Sequence, residues 1–272
     1  MHSMIQPVFN LPALDAALAN TIFAGKLHFS PVTDSTNTDA LDAARRAAPH
    51  GSVYLADEQL AGRGRGDNVW RSAAGEGLYV SVLLRPQILA AHLPLLPLAA
   101  GLAAADAIRA VAGPSVDLRW PNDLILDSHW GPRKAGGILV EARTEGSTVA
   151  FAVIGIGINV HQRSFASGLA TPATSLDLET GHQVSRQDLL VSLLKSLERE
   201  ALALLDPAAG TTITQRVEQA STWVRGRRVE VHGPQACTGV TAGLDEHGFL
   251  LVRTAAGLVT VQTGGIRAAE MS

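Results

Sequence analysis

The sequence predicts a chain of the α/β class whose larger part mixes helices and strands and whose last part is a small β-barrel. Two near-continuous apolar runs, residues 77–84 and 149–159, are typical of strands buried on both faces. A third apolar run, residues 93–111, is long and rich in alanine, which favours a buried helix. From Arg227 onward the apolar runs are short, alternate with polar residues and are separated by turns, which favours a small barrel.

Length and composition narrow the class of protein. A chain of 272 residues can form one large domain or a large domain with a small one, and an apolar share of 46% supports a substantial core. The formal net charge of −3 argues against general affinity for DNA or RNA. The single cysteine, Cys237, excludes an intrachain disulfide and fits a reducing compartment, so we expect the protein to be cytoplasmic.

Three further observations concern location and metal binding. The start of the sequence lacks a basic segment followed by an apolar one, so we expect no signal peptide. The apolar stretch 89–108 contains Pro94 and Pro97, so we expect a buried helix rather than a membrane span, and no membrane partner. The nine histidines have no ligand spacing, so we expect no metal site built by the protein alone.

The first elements along the chain are a short lead-in, a strand and a helix. Residues 1–25 form the lead-in, with one helix expected at 12–20, and residues 26–32 form the first strand. Thr36 and Asp39 have the spacing of a capping box, and an alanine-rich stripe follows them. The pattern therefore predicts a helix whose start carries spare hydroxyl groups, which suit a polar ligand as well as capping.

The stretch from Glu58 to Trp70, EQLAGRGRGDNVW, separates a predicted strand at 53–56 from the strand at 77–84. Three of its glycines alternate with Arg63 and Arg65. Glycine lets backbone N–H groups approach a ligand, and arginine offers paired donors to a carboxylate or phosphate. The spacing fits neither a Walker A motif nor a dinucleotide-binding motif. The stretch is either a flexible loop without a ligand or a loop that orders around an anion.

Polar and glycine residues also interrupt the predicted strands in the middle of the sequence. A predicted strand at 116–120 runs into Pro-Asn-Asp at 121–123, and the proline breaks any ladder there, which favours site residues over a plain turn. Lys134 then precedes Gly136 and Gly137, which we place at the start of a strand where a ligand can lie against the backbone. A β-bulge is the alternative for this glycine pair.

The remaining elements are helical and then strand-like. Ser185 and Asp188 have capping-box spacing and predict a helix that reaches about residue 205. A second helix is expected at 212–223. The strands of the predicted barrel are 227–232, 238–244, 249–253 and 258–262.

Several motifs occur in the order in which biotin protein ligases carry them, and residues 28–162 resemble that family. The motifs are Ser35-Thr36-Asn37, Gln59, the glycine–arginine loop, Arg119-Trp120-Pro121-Asn122-Asp123, Lys134-Ala135-Gly136-Gly137 and the Gly155–Asn159 run. Each motif alone is weak, but their order and spacing are specific. The resemblance implies an α/β (α+β) fold, with a mixed sheet backed by helices in a class II synthetase-like catalytic domain (26–223) and a C-terminal SH3-like β-barrel (224–272).

The resemblance implies a two-step reaction. The biotin carboxylate attacks the α-phosphate of ATP, which gives biotinyl-5′-AMP and pyrophosphate, and a lysine of a biotin carboxyl carrier protein then attacks this mixed anhydride. Biotin and ATP would be the substrates and Mg²⁺ the metal. Cations are needed where two anions meet, and the sequence supplies them.

By the same resemblance, Lys134, Arg65 and Asp123 would be the catalytic residues. Asp123 would bind Mg²⁺, orient Lys134 or deprotonate the incoming lysine. The biotin site would comprise Ser35, Thr36, Asn37, Gln59, Gly62, Arg63, Arg65, Lys134, Gly136, Gly137 and Ile138. The ATP and adenylate site would comprise Arg63, Arg65, Trp70, Asn122, Lys134 and Asn159.

Two residues depart from the family pattern. Asp67 adds a negative charge beside the expected anion site, and Arg119 stands where a lysine is commoner, a change that we expect to be tolerated. We also find no N-terminal helix-turn-helix pattern, so we expect no DNA partner and no repressor activity. A homodimer is the favoured assembly.

Three rival functions remain open. A lipoate or octanoate ligase or transferase would share the fold but would not need the glycine–arginine loop. A non-catalytic binder would use the loop to hold an anion and the barrel to hold a partner, but it would not need Lys134, Asp123 and Arg65 together. A nucleic-acid binder is disfavoured by the net charge of −3 and by the low aromatic content of 4%.

Overall fold

The computed structural model describes residues 9–66 and 68–269, which form two β-sheets and six α-helices. The elements before the second sheet are α1 (Leu11–Ala17), β1 (Leu27–Thr33), α2 (Thr36–Arg45), β2 (Ser52–Gln59), β3 (Gly77–Leu84), α3 (Leu95–Ala112), β4 (Asp117–Arg119), β5 (Asp123–Ser128), β6 (Gly131–Glu145), β7 (Thr148–Asn159), α4 (Leu176–Thr180), α5 (Arg186–Ala203) and α6 (Ala209–Gln219). The second sheet contains β8 (Arg225–His232), β9 (Cys237–Leu244), β10 (Leu250–Thr254), β11 (Gly257–Val261) and β12 (Gly265–Ala268).

The first sheet has seven strands in the order β1-β2-β3-β7-β6-β5-β4. β1 and β2 run parallel, and the other neighbouring strands run antiparallel. The predicted mixed sheet backed by helices is therefore confirmed. β3, which lies next to the middle strand β7, is buried along its whole length, as the continuous apolar run predicts.

Helix α3 lies in the core of the larger part. Within the described residues it has the length and hydropathy that a membrane span would need, and 67% of the helix is buried inside the molecule. Leu95, Leu96 and Ile108 are fully buried, and α3 packs against α5, α6 and the first sheet. The expectation of a buried helix is thus confirmed, because the apolar surface of α3 is covered by protein.

The capping box expected at Thr36 and Asp39 is wrong. Helix α2 begins at Thr36, and its N-cap residue is Ser35, whose side chain makes no capping hydrogen bond. The Thr36 hydroxyl instead contacts Gln59 and Ser81, and Asp39 accepts a hydrogen bond from Thr33. The start of α2 lies against the first sheet, so its hydroxyl groups find partners on β2 and β3 rather than on the helix backbone.

The glycine pair at 136–137 lies inside β6, so the predicted strand start there is wrong. Strand β5 pairs Leu124 with Gly136 and Ile125 with Lys134, which leaves Ala135 as an extra residue on β6. This is the bulge named as the alternative. A bulge re-aims the side chains beside it, and this one separates Lys134 from the regular alternation of β6.

Other elements differ from the sequence expectations at their ends. Helix α6 begins and ends three to four residues earlier than the predicted helix at 212–223, and α4 and β12 were not predicted. In contrast, Ser185 caps α5 as expected, since its side chain accepts a hydrogen bond from the Asp188 N–H.

The second sheet is antiparallel, with the order β11-β10-β9-β8-β12 and with β11 and β12 at its edges. It confirms a small C-terminal β domain. The sheet packs on the first part of the chain, where Trp120 Nε1 donates a hydrogen bond of 3.0 Å to the Gly248 carbonyl. The boundary at residue 224 stays a prediction, and it falls between α6 and β8.

Candidate active site

One cavity of about 50 Å³ lies over the central strands of the first sheet, beneath the glycine–arginine loop. It collects most of the predicted site residues. Those that line it are Ser35, Thr36, Asn37, Gln59, Arg63, Arg65, Trp70, Asn122, Lys134, Gly137 and Ile138. Five separate segments of the sequence therefore converge at one place.

Gly62 and Gly136, which were predicted to contact biotin, do not line the cavity but support its walls. A Cβ atom on Gly62 would lie 2.8 Å from the Ser72 hydroxyl oxygen, and one on Gly136 would lie 2.8 Å from the Gly157 carbonyl oxygen. Either side chain would push apart the backbone that shapes the cavity.

The sheet brings in Tyr79, Gly155 and Gly157 as lining residues. The Gly155–Asn159 run was identified as a motif from the sequence, but within it a site role was given to Asn159 alone. Tyr79 on β3 pairs with Gly157 on β7, and Gly157 pairs with Gly137 on β6. Gly155 lies under the Asn37 amide, which occupies the space that a Cβ atom would need. The alternation of glycine and isoleucine in this part of β7 indicated a face of the strand without side chains. The register of β7 with β3 and β6 places that face at the cavity.

A chain of hydrogen bonds covers the polar end of the cavity. The Thr36 backbone N–H donates to Gln59 Oε1 at 2.9 Å, and the Thr36 hydroxyl lies 2.8 Å from the Ser81 hydroxyl. Ser81 donates to Asn37 Oδ1 at 2.6 Å, and Asn37 Nδ2 donates to Glu141 Oε2 at 2.9 Å. Such a connected network holds each group in one orientation, so this end can recognise a polar ligand by fixed donors and acceptors.

Trp70 closes the cavity from the loop side. Its ring lies against Gly157, where a Cβ atom would be 2.6 Å from the indole Nε1, and the Lys134 ammonium lies 5.5 Å from the ring centroid. The indole Nε1 is buried and has no hydrogen-bond partner. A donor that is buried without a partner is costly, so the Trp70 indole N–H is well placed to donate a hydrogen bond to an acceptor on an incoming ligand.

Lys134 forms an ion pair with Asp123, and the same carboxylate also pairs with Arg119. Lys134 Nζ lies 2.6 Å from Asp123 Oδ1, and Arg119 Nη2 lies 2.6 Å from Asp123 Oδ2. Arg119 is buried, donates to the Thr171 hydroxyl at 2.8 Å and stacks on Trp223 at 5.2 Å. Asp123 does not line the cavity, and this geometry makes it the residue that orients Lys134.

Asp123 does not fit a magnesium ligand in this arrangement, because both of its oxygens bond to cationic side chains. Among the described residues no group of three His, Cys, Asp or Glu side chains could hold a metal. Mg²⁺ requires free carboxylate oxygens or substrate phosphates as ligands. No step of the chemistry is therefore assigned to a metal held by the protein.

The two arginines of the loop point in different directions. Arg63 forms a two-pronged ion pair with Glu141, with Nη2 at 2.5 Å from Oε2 and Nη1 at 3.2 Å from Oε1. Arg65 donates to the Thr263 hydroxyl at 2.8 Å and to the Gly264 carbonyl. Burial lowers the pKa of Arg65 from its ordinary value, and the charge of Asp123 acts against that shift. The loop is thus anchored at two separate points, and Asp67 within it lies outside the described residues.

Asn159 is not brought to the cavity. It is buried, its Nδ2 donates to the Thr174 carbonyl at 3.0 Å, and its Oδ1 lies 3.4 Å from Gln162 Nε2. The place of Asn159 in the ATP and adenylate site stays a prediction. Asn122 does line the cavity, and its side chain donates to the Ile138 carbonyl at 2.7 Å, which ties the strand break to β6.

Comparison with known proteins gives a consistent result. Residues 29–159 match the model of the Biotin/lipoate A/B protein ligase family. A bifunctional ligase/repressor of Bacillus subtilis is 31% identical over 252 residues, which span 92% of this chain and 76% of that protein. A biotin–[acetyl-CoA-carboxylase] ligase of Paracoccus denitrificans is 34% identical over 231 residues, which span 83% of this chain and 93% of that protein.

Solved structures agree with the sequence relatives. The biotin protein ligase of Aquifex aeolicus in complex with biotin and ATP has a TM-score of 0.76 and 28% identity, covering 89% of this chain and 98% of that chain. The motifs, the sheet that brings them together and these likenesses lead to one assignment. The chain belongs to the biotin/lipoate A/B protein ligase family and, within it, groups with the biotin protein ligases.

Proposed function

We propose that the enzyme activates the carboxylate of biotin with ATP as biotinyl-5′-AMP and transfers biotin to a lysine of a biotin carboxyl carrier protein. The observation that carries the proposal is the Lys134 ammonium, held 2.6 Å from Asp123 at the cavity whose other end is the Thr36–Gln59 network. The name of the Paracoccus relative, which specifies acetyl-CoA carboxylase, and the biotin and ATP in the Aquifex structure support it.

The residues of the cavity suit the two ends of such a substrate. A cyclic urea offers two N–H donors and one carbonyl, and the network around Thr36 and Gln59 offers fixed polar groups to receive them. Biotin's carboxylate and the α-phosphate of ATP repel each other, and Lys134 together with the loop arginines would offset that repulsion. Trp70 would cover the reactive anhydride and keep water away from it.

The alternative is a lipoate or octanoate ligase or transferase, which the same family description includes. Its substrate ends in a dithiolane ring or an alkyl chain, neither of which carries an N–H donor or a carbonyl for the Thr36–Gln59 network. An acid of that kind would leave buried polar groups of the site unpaired, which is unfavourable.

The deciding experiment is ATP–pyrophosphate exchange with the purified protein, Mg²⁺ and either biotin or lipoate. We expect exchange with biotin alone, followed by biotin transfer to a purified carrier domain, seen as a mass increase. Exchange with lipoate would support the alternative. The absence of exchange with either acid would contradict ligase activity.

Two further expectations are proposals about partners. We propose that the chain does not act as a repressor although relatives such as that of Bacillus subtilis are bifunctional, and the net charge of −3 supports this. A biotin-dependent shift of operator DNA would contradict it. A homodimer is also proposed, and sedimentation equilibrium with and without biotin tests it.

A further inference from the structure

Glu141 lies at the end of the hydrogen-bond chain and has no role in the proposed mechanism. It projects from β6, is partly buried, and accepts hydrogen bonds from both Arg63 and Asn37. Asn37 itself is buried, with 4% exposure, and contacts Ser81 on its other side. Among the described residues, Glu141 is therefore the charged group that hydrogen-bonds directly to the network at the polar end of the cavity.

A carboxylate can only accept hydrogen bonds, and this property orders the whole chain. Because Glu141 accepts, the Asn37 amide must turn its NH₂ group to Glu141 and its carbonyl oxygen to Ser81. Ser81 then donates its only proton to Asn37, so at the 2.8 Å contact with Thr36 it must accept. The Thr36 hydroxyl proton is in this way directed at Ser81.

The consequence appears at the cavity. The Thr36 hydroxyl lies 3.1 Å from Gln59 Oε1, in a geometry that would let it donate there, but its single proton is used on Ser81. Within the described residues, Gln59 Oε1 then accepts only from the Thr36 backbone N–H. Thr36 Oγ1 and Gln59 Oε1 therefore both have lone pairs left with which to accept hydrogen bonds. A ligand N–H group can donate to them, whereas a ligand without such a donor leaves these acceptors unpaired.

We propose that Glu141 is a positioning residue that sets the donor–acceptor order of the site, so that Thr36 and Gln59 receive N–H donors from the ligand. The inference rests on the proposed function, in which the ligand is a cyclic urea with two N–H groups. It gives a physical basis for selecting biotin over lipoate through a residue that does not itself line the cavity.

Replacing one carboxylate oxygen of Glu141 with an NH₂ group tests the donor–acceptor order of the network directly. In Glu141→Gln, the charged Arg63 competes for the single remaining oxygen, which leaves an NH₂ group facing Asn37 and favours reversal of the Asn37 amide. The double variant Asn37→Asp/Glu141→Gln keeps the same net charge beside Arg63 and restores an acceptor that faces both Ser81 and the new amide. The matched control is Glu145→Gln, an exposed carboxylate on the same strand.

The measurement is biotin-dependent ATP–pyrophosphate exchange, with KM and kcat determined separately and the melting temperature recorded. We expect Glu141→Gln to raise the KM for biotin about tenfold, with kcat within about threefold of wild type, as loss of one ligand hydrogen bond implies. We expect the double variant to recover most of that loss and Glu145→Gln to match wild type.

An unchanged KM in Glu141→Gln would overturn the assignment. A double variant whose KM for biotin is no better than that of the single variant would also overturn it, since the effect would then come from Arg63 alone. A loss confined to kcat and melting temperature would do the same, because it would indicate a general structural role. Wild-type protein without biotin-dependent exchange would instead overturn the proposed function, and this assignment with it.

Discussion

Single residues determine the chemistry at both ends of the cavity. At one end Lys134 is fixed by Asp123, whose second oxygen is held by the buried Arg119. Glycines on β7 leave space for the Trp70 ring near Lys134 and for the Asn37 amide at the other end. Two predictions follow from these contacts, one for the charge of the lysine and one for the space that a glycine leaves.

Removal of the ammonium in Lys134→Ala should lower adenylate formation by about 10²–10³-fold, the effect expected for loss of one group that stabilises transition-state charge. Biotin binding should fall much less, because the Thr36–Gln59 network is retained. Exchange kinetics and calorimetric titration with biotin measure the two effects. Lys195→Ala, an exposed lysine on α5, is the control. A Lys134 variant that forms adenylate at the wild-type rate would remove the residue from this role.

The variant Gly157→Ala places a methyl group where Trp70 lies, since its Cβ would be 2.6 Å from the indole Nε1. Trp70 can then no longer close over the cavity, and we expect biotinyl-5′-AMP to dissociate about tenfold faster, as loss of a covering aromatic contact implies. The off-rate of radiolabelled adenylate measures this. Gly265→Ala, which has no atom within 4 Å of the added Cβ, should behave as wild type. Equal off-rates in all three proteins would show that Trp70 does not close the site.

At the level of elements, the local sequence pattern specified most helices and strands but not all of their ends. Strand β3 spans Gly77–Leu84 as predicted, because a continuous apolar run between turns is a local signal. The bulge at Ala135 could not be placed, since it depends on how β5 pairs with β6. Helix α2 lost its predicted capping box for the same reason, because partners on β2 and β3 competed for the Thr36 hydroxyl.

His50, in the connection between α2 and β2, should make the stability of the protein depend on pH. His50 Nδ1 accepts a hydrogen bond of 2.9 Å from the Arg85 N–H, and burial, with the charges of Lys26 and Arg85, lowers the pKa of His50 from 6.5. Between that lowered pKa and 6.5 the unfolded chain binds more protons than the native protein. Stability should therefore fall as the pH drops through this window.

The variant His50→Asn keeps an acceptor near Arg85 but cannot take up a proton in that window. Urea unfolding at about pH 7.5 and about pH 5.5 should show a smaller loss of stability in the variant than in wild type. NMR titration of the wild-type imidazole provides an independent check of the direction. A pKa of His50 at or above its ordinary value would contradict the interpretation.

At the scale of the whole molecule, the second sheet contacts the loop of the first. Arg65 reaches Thr263 and Gly264, which lie between β11 and β12, and Trp120 reaches Gly248 between β9 and β10. From the sequence, the glycine–arginine loop is either flexible without a ligand or ordered around an anion. In the described residues it is anchored by Glu141 on one side and by the second sheet on the other.

Loss of the Thr263 hydroxyl should loosen that second anchor. For Thr263→Val we expect the contact to weaken by about 1 kcal/mol, since the hydrogen bond is charge-assisted but solvent-exposed, and amide exchange in residues 62–66 to rise about fivefold. Hydrogen–deuterium exchange with peptide resolution measures the change. Thr260→Val, an exposed threonine on β11, is the matched control. Unaltered exchange in this loop would mean that the second sheet does not hold it.

The sequence by itself determined the class of fold and most of the cavity, because motifs such as Ser35-Thr36-Asn37 and Lys134-Ala135-Gly136-Gly137 are local and their order is specific. Only the tertiary structure decided which of these groups touch. It assigned Asp123 to Lys134 and Arg119, kept Asn159 in a buried bridge to Thr174, and brought Glu141 to Asn37. The Arg119–Asp123 contact is local, but the contacts of Asp123 with Lys134, Asn159 with Thr174 and Glu141 with Asn37 join segments that are separate in the sequence. Their distance in space depends on the tertiary arrangement, strand order and register included, and no local pattern encodes it.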